Sequence, residues 1–306
     1  MITKSLGRIG VLAGGPSNER EISLRSGRAV YESLVKEGVD AVLLDVRDDN
    51  ICDVVKNNMI DVAFIALHGR FGEDGTVQNM LEGLKIPYTG SGPKASNDAL
   101  DKILSKAIFE DFGISTPGYV KLHKSGYRIE DCNRLGFPMV VKPHLEGSSI
   151  GLSVVRTKNE LPAAVDKAFE YGEMVLVEEY IAGRELTVGI LDDEPLPVIE
   201  IMTKDNLYDF KAKYIDTDTK YLVPAPLDEG IAIRVQELGK RSHHALGCRC
   251  FSRVDIMMGQ SGKLFALEVN TIPGMTERSL LPKAASAIGL SFGDLCIRLI
   301  KDAINR

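Results

Sequence analysis

Arg253-Val254-Asp255-Ile256-Met257-Met258 runs through Gly259-Gln260-Ser261-Gly262 into Lys263-Leu264-Phe265-Ala266-Leu267-Glu268-Val269-Asn270, and Pro273-Gly274-Met275 closes the segment. Two apolar-alternating runs around a Gly-bounded polar turn predict a β-hairpin. Side chains alternate faces along a strand, so Arg253 and Asp255 share one face, as do Glu268 and Asn270. Val254, Ile256 and Val269 then point into a core. The polar face offers two carboxylates, an amide and a guanidinium, and clustered oxygens are what a hard divalent cation such as Mg²⁺ takes. A merely solvated hairpin face is the alternative. Short acidic and amide groups at i, i+2, running straight into a Pro-Gly loop with backbone N–H groups to offer, favour the metal site.

The 306 residues suffice for two or three domains with sizeable cores. A composition of 44% apolar and 26% charged residues is that of an ordinary globular chain. The net charge of −6 argues against a nucleic-acid partner while leaving room for a local basic cleft. No run approaches the ~20 apolar residues of a membrane span, and Met1–Gly7 lacks the apolar centre of a signal peptide, so a cytoplasmic protein is expected. Cys52, Cys132, Cys248, Cys250 and Cys296 show no paired spacing, which fits thiols in a reducing compartment.

Working outward, the fold class expected is α/β followed by α+β. Residues 1–95 alternate strand and helix signals: strands at 8–13, 39–46, 62–67 and 86–88, helices at 17–36 and 75–84. Such alternation implies a parallel sheet. A second domain, 96–182, opens with a helix over 96–112, followed by strands at 138–143 and 151–156, a helix over 161–171 and a strand at 174–181. The third, 183–306, has antiparallel strands at 185–191 and 195–202, the hairpin, and helices at 231–246, 281–288 and 292–304. Residues 203–228 read as a long polar loop, which in a compact domain points to function or disorder.

Chemistry concentrates at the ends of these elements. Lys142 precedes His144-Leu145-Glu146-Gly147-Ser148-Ser149-Ile150-Gly151. A Lys beside small residues suits a phosphate cradle, although an ordinary hairpin loop fits too. Glu178 ends an apolar run, where it can hold a nucleoside or simply meet solvent. Lys213-Tyr214 can lie over a site as a lid or form a surface pair. Glu19, after Gly14-Gly15, and His68, after the third strand, sit at C-terminal strand edges, where α/β sheets bind ligands. No complete dinucleotide fingerprint follows the first strand, which counts against a dehydrogenase.

Taken in order, these motifs resemble the D-alanine–D-alanine ligase family of ATP-grasp enzymes over almost the whole chain. The resemblance rests on Leu12-Ala13-Gly14-Gly15 with Glu19-Arg20-Glu21 and Ser23, and on Ala66-Leu67-His68-Gly69-Arg70 with Gly72-Glu73-Asp74-Gly75-Thr76. It continues through Pro87-Tyr88-Thr89-Gly90-Ser91-Gly92, Asp101-Lys102, Lys142-Pro143, Glu146-Gly147-Ser148-Ser149 and Ala212-Lys213-Tyr214. It ends with Arg253-Val254-Asp255, Glu268-Val269-Asn270-Thr271, Pro273-Gly274-Met275-Thr276 and Ser279-Leu280. Each motif is weak alone, and their order along one chain makes them specific.

The resemblance implies a three-domain ATP-grasp fold with an N-terminal Rossmann-like sheet, and a homodimer through that first domain. It implies ATP, with Lys102, Lys142 and Lys213 on the phosphates and the Ser148-Ser149 loop folded over them. Glu178, Glu179, Tyr180, Ile181 and Glu185 would border the nucleoside, with Tyr180 where some members carry Trp. Asp255, Glu268 and Asn270 would hold two Mg²⁺ or Mn²⁺ ions. The first D-alanine would lie near Glu19 and His68, the carboxylate of the second near Ser279 and Leu280. Arg253 and the Gly274 N–H would face the reacting carbonyl oxygen. Glu19, Ser148 and Tyr214 would form one hydrogen-bonded set, and Tyr214 favours an amine over a lactate nucleophile. Another ATP-grasp carboxylate–amine ligase is the nearest rival. A nucleotide-binding protein without catalysis would be expected to lack Arg253, Asp255, Glu268 or Asn270, and all four are present.

Overall fold

A computed structural model describes residues 6–47, 50–203 and 218–306. The first sheet is parallel, in the order β2 (Ala41–Val46), β1 (Ile9–Gly14), β3 (Val62–Ile65). Tyr88 adds one parallel bridge to Ala63. Every residue of β1 is buried, as expected of a central strand covered on both faces. Helix α1 spans Arg20–Lys36 and buries Ile22, Ser23, Ser26, Val30 and Leu34 on one stripe. It starts three residues later than the sequence predicts. The Ser17 hydroxyl donates to His68 O (2.6 Å) and accepts from the Glu19 N–H (3.2 Å), holding this turn out of the helix. Helix α2 (Ile51–Asn58), which the sequence reading lacks, and α3 (Thr76–Leu84) complete this part.

The predicted helix over 96–112 is two helices, α4 (Pro93–Leu100) and α5 (Lys102–Asp111). Asp101 breaks them because its carboxylate caps α5, accepting from the N–H groups of Ile103 (2.9 Å) and Leu104 (3.1 Å). The second sheet is antiparallel, in the order β4 (Tyr119–His123), β7 (Met174–Glu179), β5 (Met139–Pro143), β6 (Ser153–Val155). Helix α6 (Leu161–Phe169) covers it, and Val120, Leu122, Val141, Val165, Val175 and Val177 close a core of their own. Strand β4 is absent from the sequence reading.

The third sheet is antiparallel as well, in the order β11 (Lys220–Leu222), β10 (Ile199–Met202), β8 (Gly183–Leu191), β12 (Phe251–Gly259), β13 (Leu264–Asn270), with β9 (Glu194–Pro195) on β8. The hairpin forms as predicted, with Arg253 opposite Asn270, Val254 opposite Val269 and Asp255 opposite Glu268. A bulge follows Asp255. Helix α7 (Glu229–Ala245) packs with Val188, Val254, Ile256 and Val269, and so do Ala95, Ala99 and Phe109 of α4 and α5. Helices α8 (Leu280–Ala287) and α9 (Phe292–Ile304) join the other side. There Leu281 and Leu299 share one core with Val11 and Phe64 of the first sheet and Phe251 of the third. Among the described residues no single helix is long and apolar enough to cross a membrane. The pair α8–α9, bent by 103°, passes only when taken together, and its Leu281, Ala284, Leu299 and Ile300 are buried.

Candidate active site

The hairpin delivers its polar face to a cleft between the second and third sheets. Asp255 and Glu268 stand directly across the strand pair, where two carboxylates repel. Cations relieve this on both sides. Arg253 grips Asp255 through Nε (2.9 Å) and Nη2 (2.7 Å), a two-point pair that fixes both groups. Lys102 Nζ lies 3.6 Å from Glu268 Oε2. Asp255 also accepts from Thr187 Oγ1 (2.7 Å) and Asn270 Nδ2 (3.3 Å), so its position is fixed from three directions. Glu268 is the more open of the two, its side chain 24% exposed against 6% for Asp255. Two carboxylates facing one cleft, with the Asn270 amide beside Asp255 at the border of the second cavity, are an oxygen-bearing set of the kind a hard divalent cation prefers.

The opposite wall is cationic. Lys142, at the end of β5, pairs with Glu178 Oε2 at 2.8 Å. Glu178 is buried on β7, and its other oxygen meets Lys106 Nζ of α5, also at 2.8 Å. Burial opposes ionisation of Glu178, but the two ammonium groups outweigh it and hold the carboxyl below its usual range. Lys102 Nζ donates to Glu146 O (2.7 Å), tying the start of α5 to the loop after β5. In that loop Ser148 (φ 49°) and Ser149 (φ 59°) both adopt left-handed backbone, which costs an L-residue roughly 1–2 kcal/mol. Strain of this kind collects at ligand-binding loops. Glu178, Glu185, Asp255 and Glu268 line the same cleft as Lys102 and Lys142. Pro117, Val140, Ile181 and Met257 supply its apolar lining, and Glu179 and Tyr180 its rim.

Gly147 and Ser148 also border a second cavity, reached past the first sheet. The Ser148 hydroxyl donates to Glu19, just before α1. His68 shares a hydrogen bond with Ser26 Oγ through Nε2 (2.9 Å) and lies 3.3 Å from Glu73 through Nδ1. Burial disfavours the charged imidazole, but Glu73 and then Glu19 outweigh it and raise the His68 pKa above 6.5. Ser26 Oγ also accepts from the Met275 N–H (3.3 Å), which links His68 to the loop after the hairpin. Ser279 closes the far side as the residue preceding α8, its Oγ within 2.9 Å of Thr276 Oγ1. Arg253, Asn270, Gly274, Ser279 and Leu280 line this cavity together with Glu19 and His68. The N-terminal N–H groups of α8 make its floor suitable for a carboxylate.

The two cavities thus gather the predicted site residues into one continuous region, except Lys213 and Tyr214, which lie outside the described residues. Of the Glu–Ser–Tyr set, Glu19 and Ser148 meet. Glu178, expected beside the nucleoside, lines the cleft with both oxygens engaged by lysines. Sequence reasoning missed Lys106, Glu73 as partner of His68, Ser26 and Thr187. Lys106 carried a usable signal, because its i, i+4 spacing from Lys102 puts both on one helix face.

Two family models match the chain: D-ala D-ala ligase N-terminus over residues 49–91 and D-ala D-ala ligase C-terminus over 108–301. A D-alanine–D-alanine ligase of Syntrophotalea carbinolica is 48% identical over 297 residues, 97% of this chain and 96% of that protein. D-alanine–D-alanine ligase B of Pseudomonas syringae pv. tomato is 46% identical, covering 98% and 94%. Among solved structures, the Bacillus anthracis D-alanine–D-alanine ligase complexed with ATP superposes with a TM-score of 0.86 at 36% identity, covering 98% of each chain. The VanG D-Ala:D-Ser ligase of Enterococcus faecalis gives 0.83 at 31%, covering 97% of this chain and 99% of that one.

Proposed function

The chain belongs to the D-alanine–D-alanine ligase family, with its ATP-grasp fold, and we infer from that premise that it joins two D-alanines to D-alanyl-D-alanine with ATP, for cell-wall precursor synthesis. The observation that carries this is the meeting of the acidic hairpin and the lysine wall in one cleft that opens, at Ser148, into the Glu19–His68 cavity.

In this proposal ATP lies between the second and third sheets. Lys102, Lys142 and Lys213 hold its phosphates, and the Ser148-Ser149 loop covers them. Glu178, Glu179, Tyr180, Ile181 and Glu185 surround the nucleoside. Asp255, Glu268 and Asn270 would hold two Mg²⁺ or Mn²⁺ ions, which supply positive charge against the β- and γ-phosphates when bound. The first D-alanine sits with its ammonium near Glu19 and His68. One of its carboxylate oxygens attacks the γ-phosphorus, ADP leaves, and a D-alanyl phosphate results. A free carboxylate is a poor acyl donor, and phosphate is the leaving group that makes it a good one.

The second D-alanine binds by its carboxylate at Ser279 and Leu280, over the N-terminus of α8. Its amine attacks the acyl carbonyl, and inorganic phosphate departs. Arg253, held rigid by Asp255, and the Gly274 N–H face the oxyanion that forms, and such preorganised donors are effective because they need no reorganisation. The amine's proton passes to Ser148, whose own proton is already directed to Glu19, with Tyr214 completing the set. The remaining contribution is positioning. We extend the proposal to the organisation 1–95, 96–182 and 183–306, with α4 and α5 reaching onto the third unit, to a cytoplasmic location and to a homodimer, which sedimentation would test.

A product assay tests the function. Protein, ATP, Mg²⁺ and D-alanine are expected to release phosphate in step with D-alanyl-D-alanine, with L-alanine inert and D-lactate poor. ATP binding without any D-alanine product would move the assignment to another amino-acid pair, with D-serine the next substrate to try.

A further inference from the structure

Lys106 does not line the cleft, yet it is bound to the group that orients a cleft lysine. It is fully buried on α5, and its Nζ contacts Glu178 Oε1 (2.8 Å), Thr116 Oγ1 (2.7 Å) and Pro117 O (3.2 Å). Pro117 O can only accept, and an ionised Glu178 likewise. Two hydrogen bonds and an ion pair with Glu178 suit an ammonium, whose pKa burial pulls below the ordinary lysine value while Glu178 opposes that shift. Its Nζ also lies 5.3 Å from the centre of the Tyr119 ring. The other Glu178 oxygen belongs to Lys142, which does line the cleft. A buried lysine is a costly placement that paired charges must offset. Glu178 needs only one cation for neutrality, so a second one is surplus to structure.

We propose that Lys106 is a positioning residue of the nucleotide site, which occupies half of Glu178 so that the Lys106–Glu178–Lys142 triad keeps a net positive charge, presented to polyphosphate by Lys142. Two ammoniums and one carboxylate sum to +1. Without Lys106, Lys142 and Glu178 would cancel, and the cleft would lose a positive charge in a region of reduced dielectric, where charges act more strongly than in water. This rests on the nucleotide-site reading above and assigns to it a residue that touches no substrate.

The test is the ratio of adenosine to ATP dissociation constants, measured by calorimetry on the full chain with Mg²⁺. The ratio isolates the phosphates, because changes in nucleoside contacts cancel. Wild type is expected to prefer ATP strongly; no preference would overturn the nucleotide-site reading itself. K106M, with net charge zero, is expected to lose at least ~10-fold of that ratio. K106M/E178Q, back to +1, is expected to return within about threefold of wild type by the same charge count. Should K106M not fold, K106Q, whose amide still donates to Glu178, carries the same expectation. A ratio unchanged in the neutral variants, even with both affinities reduced, would mean a purely structural lysine and overturn the proposal. So would a double variant that stays as low as the single one.

Discussion

The second sheet and the pair formed by the first and third are built differently. The second closes its own core around Val120, Leu122, Val141 and Val177. The first and third share theirs, with Phe64 and Val11 packed in one cluster with Phe251, Leu281 and Leu299. The chemistry divides along the same line. The self-contained part carries Lys142, Glu178 and the Ser148-Ser149 loop, groups suited to phosphate. The fused part carries Glu19, His68, Arg253, Asp255, Glu268 and the loop to Ser279, groups suited to amino acids, metal and acyl transfer. In the proposed function, nucleotide handling is thus shared across the seam, with Lys142, Glu178 and the Ser148-Ser149 loop on the separable body and Lys102 and Glu185 facing them from the fused part, while the residues assigned to the two amino acids lie on the fused part, apart from Ser148.

The largest effect expected is on packing. Leu122→Ala and Leu299→Ala, both in buried positions, should each cost about 2–5 kcal/mol. Hydrogen exchange should then separate the two bodies: Leu122→Ala accelerates exchange within 119–179 alone, Leu299→Ala in both the first and third sheets. Uniform acceleration by Leu122→Ala would break the comparison. Next, the proposed role of Arg253 at the oxyanion predicts that Arg253→Ala lowers kcat at least ~100-fold while ATP affinity persists. Near-normal turnover would remove Arg253 from catalysis. Glu268→Gln should raise the Mg²⁺ concentration for half-maximal activity at least ~10-fold, with unchanged D-alanine affinity.

The smallest effect is a pair of opposite titrations. Burial lowers the pKa of His144, beside the Ser148-Ser149 loop, whereas Glu73 outweighs burial to raise that of His68. His68 then contributes stability that is complete below about 6.5 and lost as pH rises through its higher folded value. His144 contributes above about 6.5, and that contribution is lost as pH falls through its lower folded value. NMR titration should place the His68 midpoint above that of His144. The reverse order would contradict both environments.

The hairpin was legible because its information is local: alternation set the faces, and the register brought Arg253, Asp255, Glu268 and Asn270 together as expected. The parallel first sheet was legible from strand–helix alternation. The helix break at Asp101 was not, since apolar periodicity runs through it and only the side chain's hydrogen bonds mark the cap. Strand β4 is short, and its identity comes from pairing with β7. Thr187 was invisible for a related reason, and the spacing of Lys106 from Lys102 marks a shared helix face without marking its partner. Each is defined by a partner, Glu178 or Asp255, distant in sequence and adjacent only after the sheets assemble. His68 was flagged from its strand-end position, but its charge state depends on Glu73 and Glu19 converging on it. The resemblance to a family supplied the roles of the residues, while the geometry supplied how they are held.

The division between phosphate and acyl halves requires that a D-alanine carboxylate attack ATP before any peptide bond forms. The most direct measurement uses D-alanine labelled with ¹⁸O in both carboxylate oxygens, with mass analysis of the phosphate and dipeptide released. The account predicts one ¹⁸O in each phosphate, carried over as the acyl phosphate collapses, with the other retained in the peptide carbonyl. Unlabelled phosphate accompanying the dipeptide would contradict it.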